Sequence, residues 1–80
     1  MTATEIKIAL EAAAAKSARM PGATEAQIDF LSSLMAKAAL KGGNATRGVE
    51  YILSDLEQSA FGLTKRGASN YIDDMKFWAN

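Results

Sequence analysis

The sequence predicts an all-α fold, a small bundle of about four helices. Apolar residues recur at three- and four-residue spacing along most of the chain. Two T-x-x-E/Q capping signatures, Thr2 with Glu5 and Thr24 with Gln27, stand ahead of such runs. Glycine- and proline-bearing breaks divide the chain into four pieces, and none shows strand alternation.

The first helix is expected from about Thr4 to Arg19, with "MPG" (Met20, Pro21, Gly22) as its stop. Ile6, Leu10, Ala13, Ala14 and Ser17 fall on its core side, and Ile8, Ala12 and Ala15 on the opposite one. The second begins at Thr24 and runs to Lys41, where "GGN" supplies glycine for a left-handed cap. Its stripe of Ile28, Leu31, Leu34, Met35, Ala38 and Ala39, with Phe30 at the edge, is wide enough for a central helix with two neighbours. The third is expected from about Thr46 through Ser59, with Val49, Ile52, Leu53 and Leu56 facing inward. The fourth opens at Thr64 and carries Ala68, Tyr71, Ile72, Met75 and Trp78 on one side. Phe77 projects the other way, beside Arg66, Asn70 and Asp73.

Eighty residues suit a single helical domain over 1–80, whose core supplies only a few kcal/mol net, so a partner or a second copy often adds the remainder. Cysteine and histidine are both absent, which removes disulfides, thiolate metal sites and the commonest general base. No cofactor and no metal site are expected. The nine Lys and Arg balance the nine Asp and Glu, against the broad basic face of a non-specific DNA binder and against a uniformly acidic DNA imitator. "MTATEIKIALEAAAAK" is interrupted by Glu5, Lys7, Glu11 and Lys16, so it reads neither as a membrane span nor as a cleavable signal. The expected location is the cytoplasm.

Catalysis finds little purchase. Asp73 and Asp74 are adjacent, so on a helix they diverge by roughly 100° and do not share a proton or a metal. The serines have no imidazole to activate them. "GGNATRGV" has P-loop glycine spacing at Gly43 and Gly48, but Val49 stands where lysine is required and no strand precedes it. A non-enzymatic protein is expected, with no catalytic residues.

Binding readings have more support. The leftover apolar positions Ile8, Ala12 and Ala15, and separately Phe77, exceed what one small domain needs to hide, which points to a homodimer or a partner. The first two helices obey the helix dipole, with Glu5 and Glu25 at N-termini and Lys16, Arg19 and Lys41 at C-termini. The last two reverse it: Arg47 opens the third, which closes on Asp55 and Glu57, and Lys65 and Arg66 open the fourth ahead of Asp73 and Asp74. Exposed charges against the dipole cost only tenths of a kcal/mol, so they are either neutral decoration or kept for a partner. Glu50, Asp55, Glu57, Asp73, Asp74 and Phe77 form one candidate partner surface, suited to a basic groove. The alternative is a helix-turn-helix in "FGLTKRGASNYI", with Lys65, Arg66, Ser69 and Asn70 facing a DNA major groove. Gln58 stands where that motif wants a small residue, four positions before the turn glycine, and the neutral charge leaves little phosphate affinity.

"ATEAQIDFLSSLM" followed by "LTKRGASNYIDDM" resembles a two-helix module of phage and bacterial proteins, with the pattern T-x-x-Q-x-x-x-L, then L-T-K-x-x-A-S-x-x-I. Thr24, Gln27, Leu31, Leu63, Thr64, Lys65, Ala68, Ser69 and Ile72 match it; the segment between, roughly 42–62, is longer than that module's usual spacer. In whole sequence and size the chain resembles small anti-CRISPR proteins that inhibit type I-C systems. That resemblance implies a phage or mobile-element protein that binds the CRISPR Cascade complex and prevents target-DNA binding, without chemistry.

Overall fold

Four helices carry these patterns in the computed structural model, which describes residues 2–17 and 21–79: α1 Ala3–Ala15, α2 Glu25–Lys41, α3 Gly43–Gln58 and α4 Lys65–Ala79. Among the described residues there is no strand, only one isolated antiparallel bridge between Gly22 and Thr64. The fold is a small all-α bundle.

Both capping boxes form. The Thr2 hydroxyl accepts from the Glu5 N–H and the Glu5 carboxylate accepts from the Thr2 N–H. Thr24 and Gln27 repeat that exchange at the head of α2. Thr64 caps α4, its hydroxyl accepting from the Gly67 N–H at 3.0 Å.

Helix α2 is central and packs against the other three. Its Ile28, Leu31, Met35 and Ala38 meet Ile6 and Leu10 of α1, Val49, Ile52 and Leu56 of α3, and Ala68, Ile72 and Met75 of α4 in one apolar cluster, with Leu63 from the last connection. Leu34, Ala39 and Ala14 lie half-buried at its margin. The buried Ser32 hydroxyl donates to the Asp29 carbonyl at 2.9 Å, which removes the penalty of an unpaired polar group.

Several boundaries differ from expectation, those of α1 and α3 most. Helix α1 ends at Ala15, short of the predicted Arg19 (Ala18, Arg19 and Met20 lie outside the described residues). The Ala13 carbonyl accepts from the Leu63 N–H at 2.9 Å and from the Lys16 N–H at 3.2 Å, so a distant connection docks where the next helical turn would begin. Lys16 is therefore the C-cap and not part of a basic last turn. Helix α3 starts at Gly43, three residues ahead of Thr46, after a corner at which two successive glycines take positive φ. Gly42, with φ 75° and ψ −176°, occupies a region essentially reserved for glycine, and Gly43 follows with φ 59°. Thr46, already inside α3, donates its hydroxyl to the Ala39 carbonyl at 3.0 Å and braces that corner. Helix α3 ends at Gln58 rather than Ser59, and α4 carries Lys76 in its last turn, in keeping with its dipole.

The connection between α3 and α4 is pinned from two sides. The Ser17 hydroxyl donates to the carbonyls of Phe61 and Leu63, each at 3.1 Å. Ala23 N–H donates to the Leu63 carbonyl and Lys65 N–H to the Pro21 carbonyl, both at 3.0 Å. These bonds fix where α4 begins and therefore which of its flanks face outward.

Candidate partner-binding surface

The candidate acids are all exposed, but they do not form one face. Helix α3 presents Glu50 and Glu57, two turns apart, along one flank, whereas Asp55 points roughly 140° away from Glu50. Glu57 lies beside α1, where the Lys16 ammonium donates to its backbone carbonyl at 3.2 Å. Asp55 lies at the α3–α4 seam, where its Oδ2 accepts from the Tyr71 hydroxyl at 2.9 Å. The single acidic surface expected from the sequence is thus corrected to two flanks, because α3 sits between α1 and α4.

The seam flank is the richer one. Tyr71 is half-buried, and burial, then the hydrogen bond and charge of Asp55, push its phenol up to about 12. Tyr51 and Asp74 lie close enough to add to that shift. On the outer side of α4, Asp73 and Phe77 share a line with Arg66 and Asn70. Phe77 is 75% exposed and packs edge-on against Trp78, with ring centroids 5.2 Å apart.

Trp78 corrects an expectation. Placed on the core stripe by spacing, it is 37% exposed, and the neighbouring Ala79 takes the inward position at 6%. Across the other edge of α4, the Lys76 ammonium lies 5.7 Å from the centroid of the half-exposed Phe30 ring. Tyr51, Phe61 and Leu40 are also largely exposed, and the sequence reading did not single them out. Among the described residues, seven large apolar side chains are exposed. For Tyr51 a signal existed, since it falls off the line of Val49, Ile52 and Leu56. For Leu40 and Phe61 only the packing decides.

Lys65, Arg66, Ser69 and Asn70 are all exposed on α4, so none is withdrawn from a DNA-reading role by burial. Asp73 follows them on the same side, three residues after Asn70 and four after Ser69. The preceding connection spans residues 59–64, longer than the three- or four-residue turn of a helix-turn-helix. Helix α4 also packs chiefly on α2 and only lightly on α3, its supposed partner in that motif.

The two halves of the T-x-x-Q … L-T-K pattern meet in space. Gln27 closes the α2 capping box and also donates its side-chain amide to the Lys65 carbonyl at 3.1 Å. These residues join the N-termini of α2 and α4, which is a packing role.

Ile8, Ala12 and Ala15 all face solvent, with Ile8 61% exposed. Ala12 also lines a half-open apolar groove of about 230 Å³ between α1 and α3, along with Leu53, Leu56 and Glu57. On the other side of α1, Lys7 pairs with Asp29 at 2.7 Å; the hydrogen bond and charge of Asp29 raise the Lys7 pKa. Among the described residues no group of three or more Asp or Glu could hold a metal ion. None of the described helices is long and apolar enough to cross a membrane. No protein-family model, no curated protein and no solved structure matches the chain.

Proposed function

We propose that this protein is a non-catalytic anti-CRISPR inhibitor that binds the Cascade surveillance complex of a type I-C system and prevents target-DNA binding. The resemblance in whole sequence and size motivates the reading. The observation that carries it is the exposed surface of α4, where Asp73 stands beside Phe77 on the outer side and Asp74 beside Trp78 on the adjoining flank. Carboxylates next to aromatic rings suit an arginine- and lysine-lined channel, which offers cation–π partners as well as ion pairs. Blocking such a channel needs occupancy and no chemistry. Cascade acts in the bacterial cytoplasm, and this reading places the protein there.

A DNA-binding regulator is the competing reading, favoured by the exposure of Lys65, Arg66, Ser69 and Asn70. A sizing column separates the two. The purified protein is mixed with Cascade and, separately, with duplex DNA. Co-migration with Cascade, lost on Asp73→Lys plus Asp74→Lys, supports inhibition by contact. Co-migration with DNA, lost on Lys65→Glu plus Arg66→Glu, overturns it.

A further inference from the structure

We infer that the groove between α1 and α3 is covered in solution by α1 of a second copy of this chain, laid antiparallel about a two-fold axis that passes between Leu10 and Glu11. The groove is mostly apolar, with Ala9, Ala12 and Ala13 on the α1 wall and Leu53 and Leu56 on the α3 wall, and Lys16 and Glu57 complete its lining. Glu5, Ala9, Ala12 and Lys16 are spaced four, three and four residues apart, so they run along one flank of α1.

The charges on that flank select the occupant and its direction. A parallel copy sets Glu5 against Glu5 and Lys16 against Lys16. An antiparallel copy sets Glu5 against the copy's Lys16 at both ends, and the same axis sets Ala9 against the copy's Ala12. One symmetry operation satisfies both pairs, as an isologous interface requires. The pattern complements itself in this register, which favours a second copy as the occupant.

Both charges are held in place with bonding capacity to spare. Glu5 uses Oε1 to accept from the Thr2 N–H, which leaves its second oxygen for an outside cation. Lys16 spends one of its three donors on the Glu57 carbonyl. Fixing a long side chain beforehand reduces the entropy lost when it pairs. The alanines between them let two helix backbones approach closely, which brings the half-buried Leu53 and the exposed Ile8 under cover of the copy.

The inference is independent of the Cascade reading, since its test uses the purified protein alone. Light scattering across a dilution series should give twice the 8.5 kDa chain mass at the concentrated end. Glu5→Lys and Lys16→Glu each place like charges at both contacts, so each variant alone should run as a monomer while circular dichroism keeps its helix signal. An equimolar mixture of the two variants restores opposite charges at both ends and should recover the dimer mass. Damage to the capping box cannot be repaired by mixing, so recovery separates pairing from folding. Ala12→Arg, which leaves the cap intact, should also give a monomer. A wild-type monomer at every concentration, variants that stay dimeric, or a mixture that stays monomeric would each overturn the pairing.

Discussion

The side-chain amide of Gln27 donates a 3.1 Å hydrogen bond to the backbone carbonyl of Lys65, tying the head of α2 to the head of α4. The same side chain accepts from the Thr24 N–H at 3.0 Å, so one residue serves a local cap and a tertiary contact. Thr24→Ala removes the hydroxyl that accepts from the Gln27 N–H and should cost about 1 kcal/mol. Gln27→Ala leaves that bond in place but removes the acceptor of the Thr24 N–H and the donor to the Lys65 carbonyl, and should cost about 1–2 kcal/mol. Urea midpoints checked against an unchanged slope measure both costs, and an unchanged midpoint for Gln27→Ala would show that the bond to Lys65 contributes nothing.

Gly62 cannot accept a side chain. Its φ is 69°, and a Cβ there would sit 2.1 Å from the Ala13 carbonyl oxygen and 2.8 Å from the Lys16 Cβ. Gly42 also has positive φ, at 75°, but a Cβ on it meets nothing within 4 Å. Gly42→Ala should therefore cost about 1–3 kcal/mol from backbone strain alone. Gly62→Ala adds steric displacement of the α1 end, and a total of about 2–6 kcal/mol should unfold much of the population. Thermal melts of both variants give the order directly.

Tyr71 makes stability sensitive to alkali. Burial, assisted by Asp55, raises its folded pKa from 10.0 to about 12, so above the unfolded value the folded state holds the proton more tightly than the unfolded chain. Its contribution is present in full below about pH 10 and is lost as the pH climbs towards 12. Urea midpoints measured at neutral pH and near pH 11 should fall for the wild type, and Tyr71→Phe should shrink the fall. An identical fall in the variant would assign the alkaline loss to other groups.

Phe77 is exposed and makes its aromatic contact with Trp78, so truncation should leave the fold intact. Phe77→Ala should change stability by no more than about 0.5 kcal/mol. If α4 is the Cascade surface, the same substitution should weaken binding by about 2 kcal/mol, roughly thirtyfold, as aromatic anchors at interface centres do. Calorimetric titration against Cascade reads the affinity, and full affinity in the variant would move the contact off this side of α4.

Helix existence and the buried lines were legible because both depend on short-range spacing. Ile6, Leu10 and Ala13 repeat at three and four, and so do Val49, Ile52 and Leu56; each set turned out buried. The candidate surface was legible only in part. Spacing placed Phe77 away from the core, yet it placed Trp78 inside, because Ala79 one residue later was an equally good inward position and has the smaller side chain to fit. Grouping Glu50, Glu57 and Asp55 failed for a related reason. Charge alone does not tell which flank of α3 a neighbouring helix will occupy.

The capping boxes Thr2–Glu5 and Thr24–Gln27 were settled by the residues themselves, since each closes within three positions and needs no other part of the chain. The end of α1 was settled by the bundle: the Ala13 carbonyl had to receive the Leu63 N–H from a remote connection before the helix stopped there. Hydrogen bonds and periodicity over a few residues are properties of a sequence. Which carbonyl is claimed from outside, and which flank stays in water, depends on where the other helices come to rest.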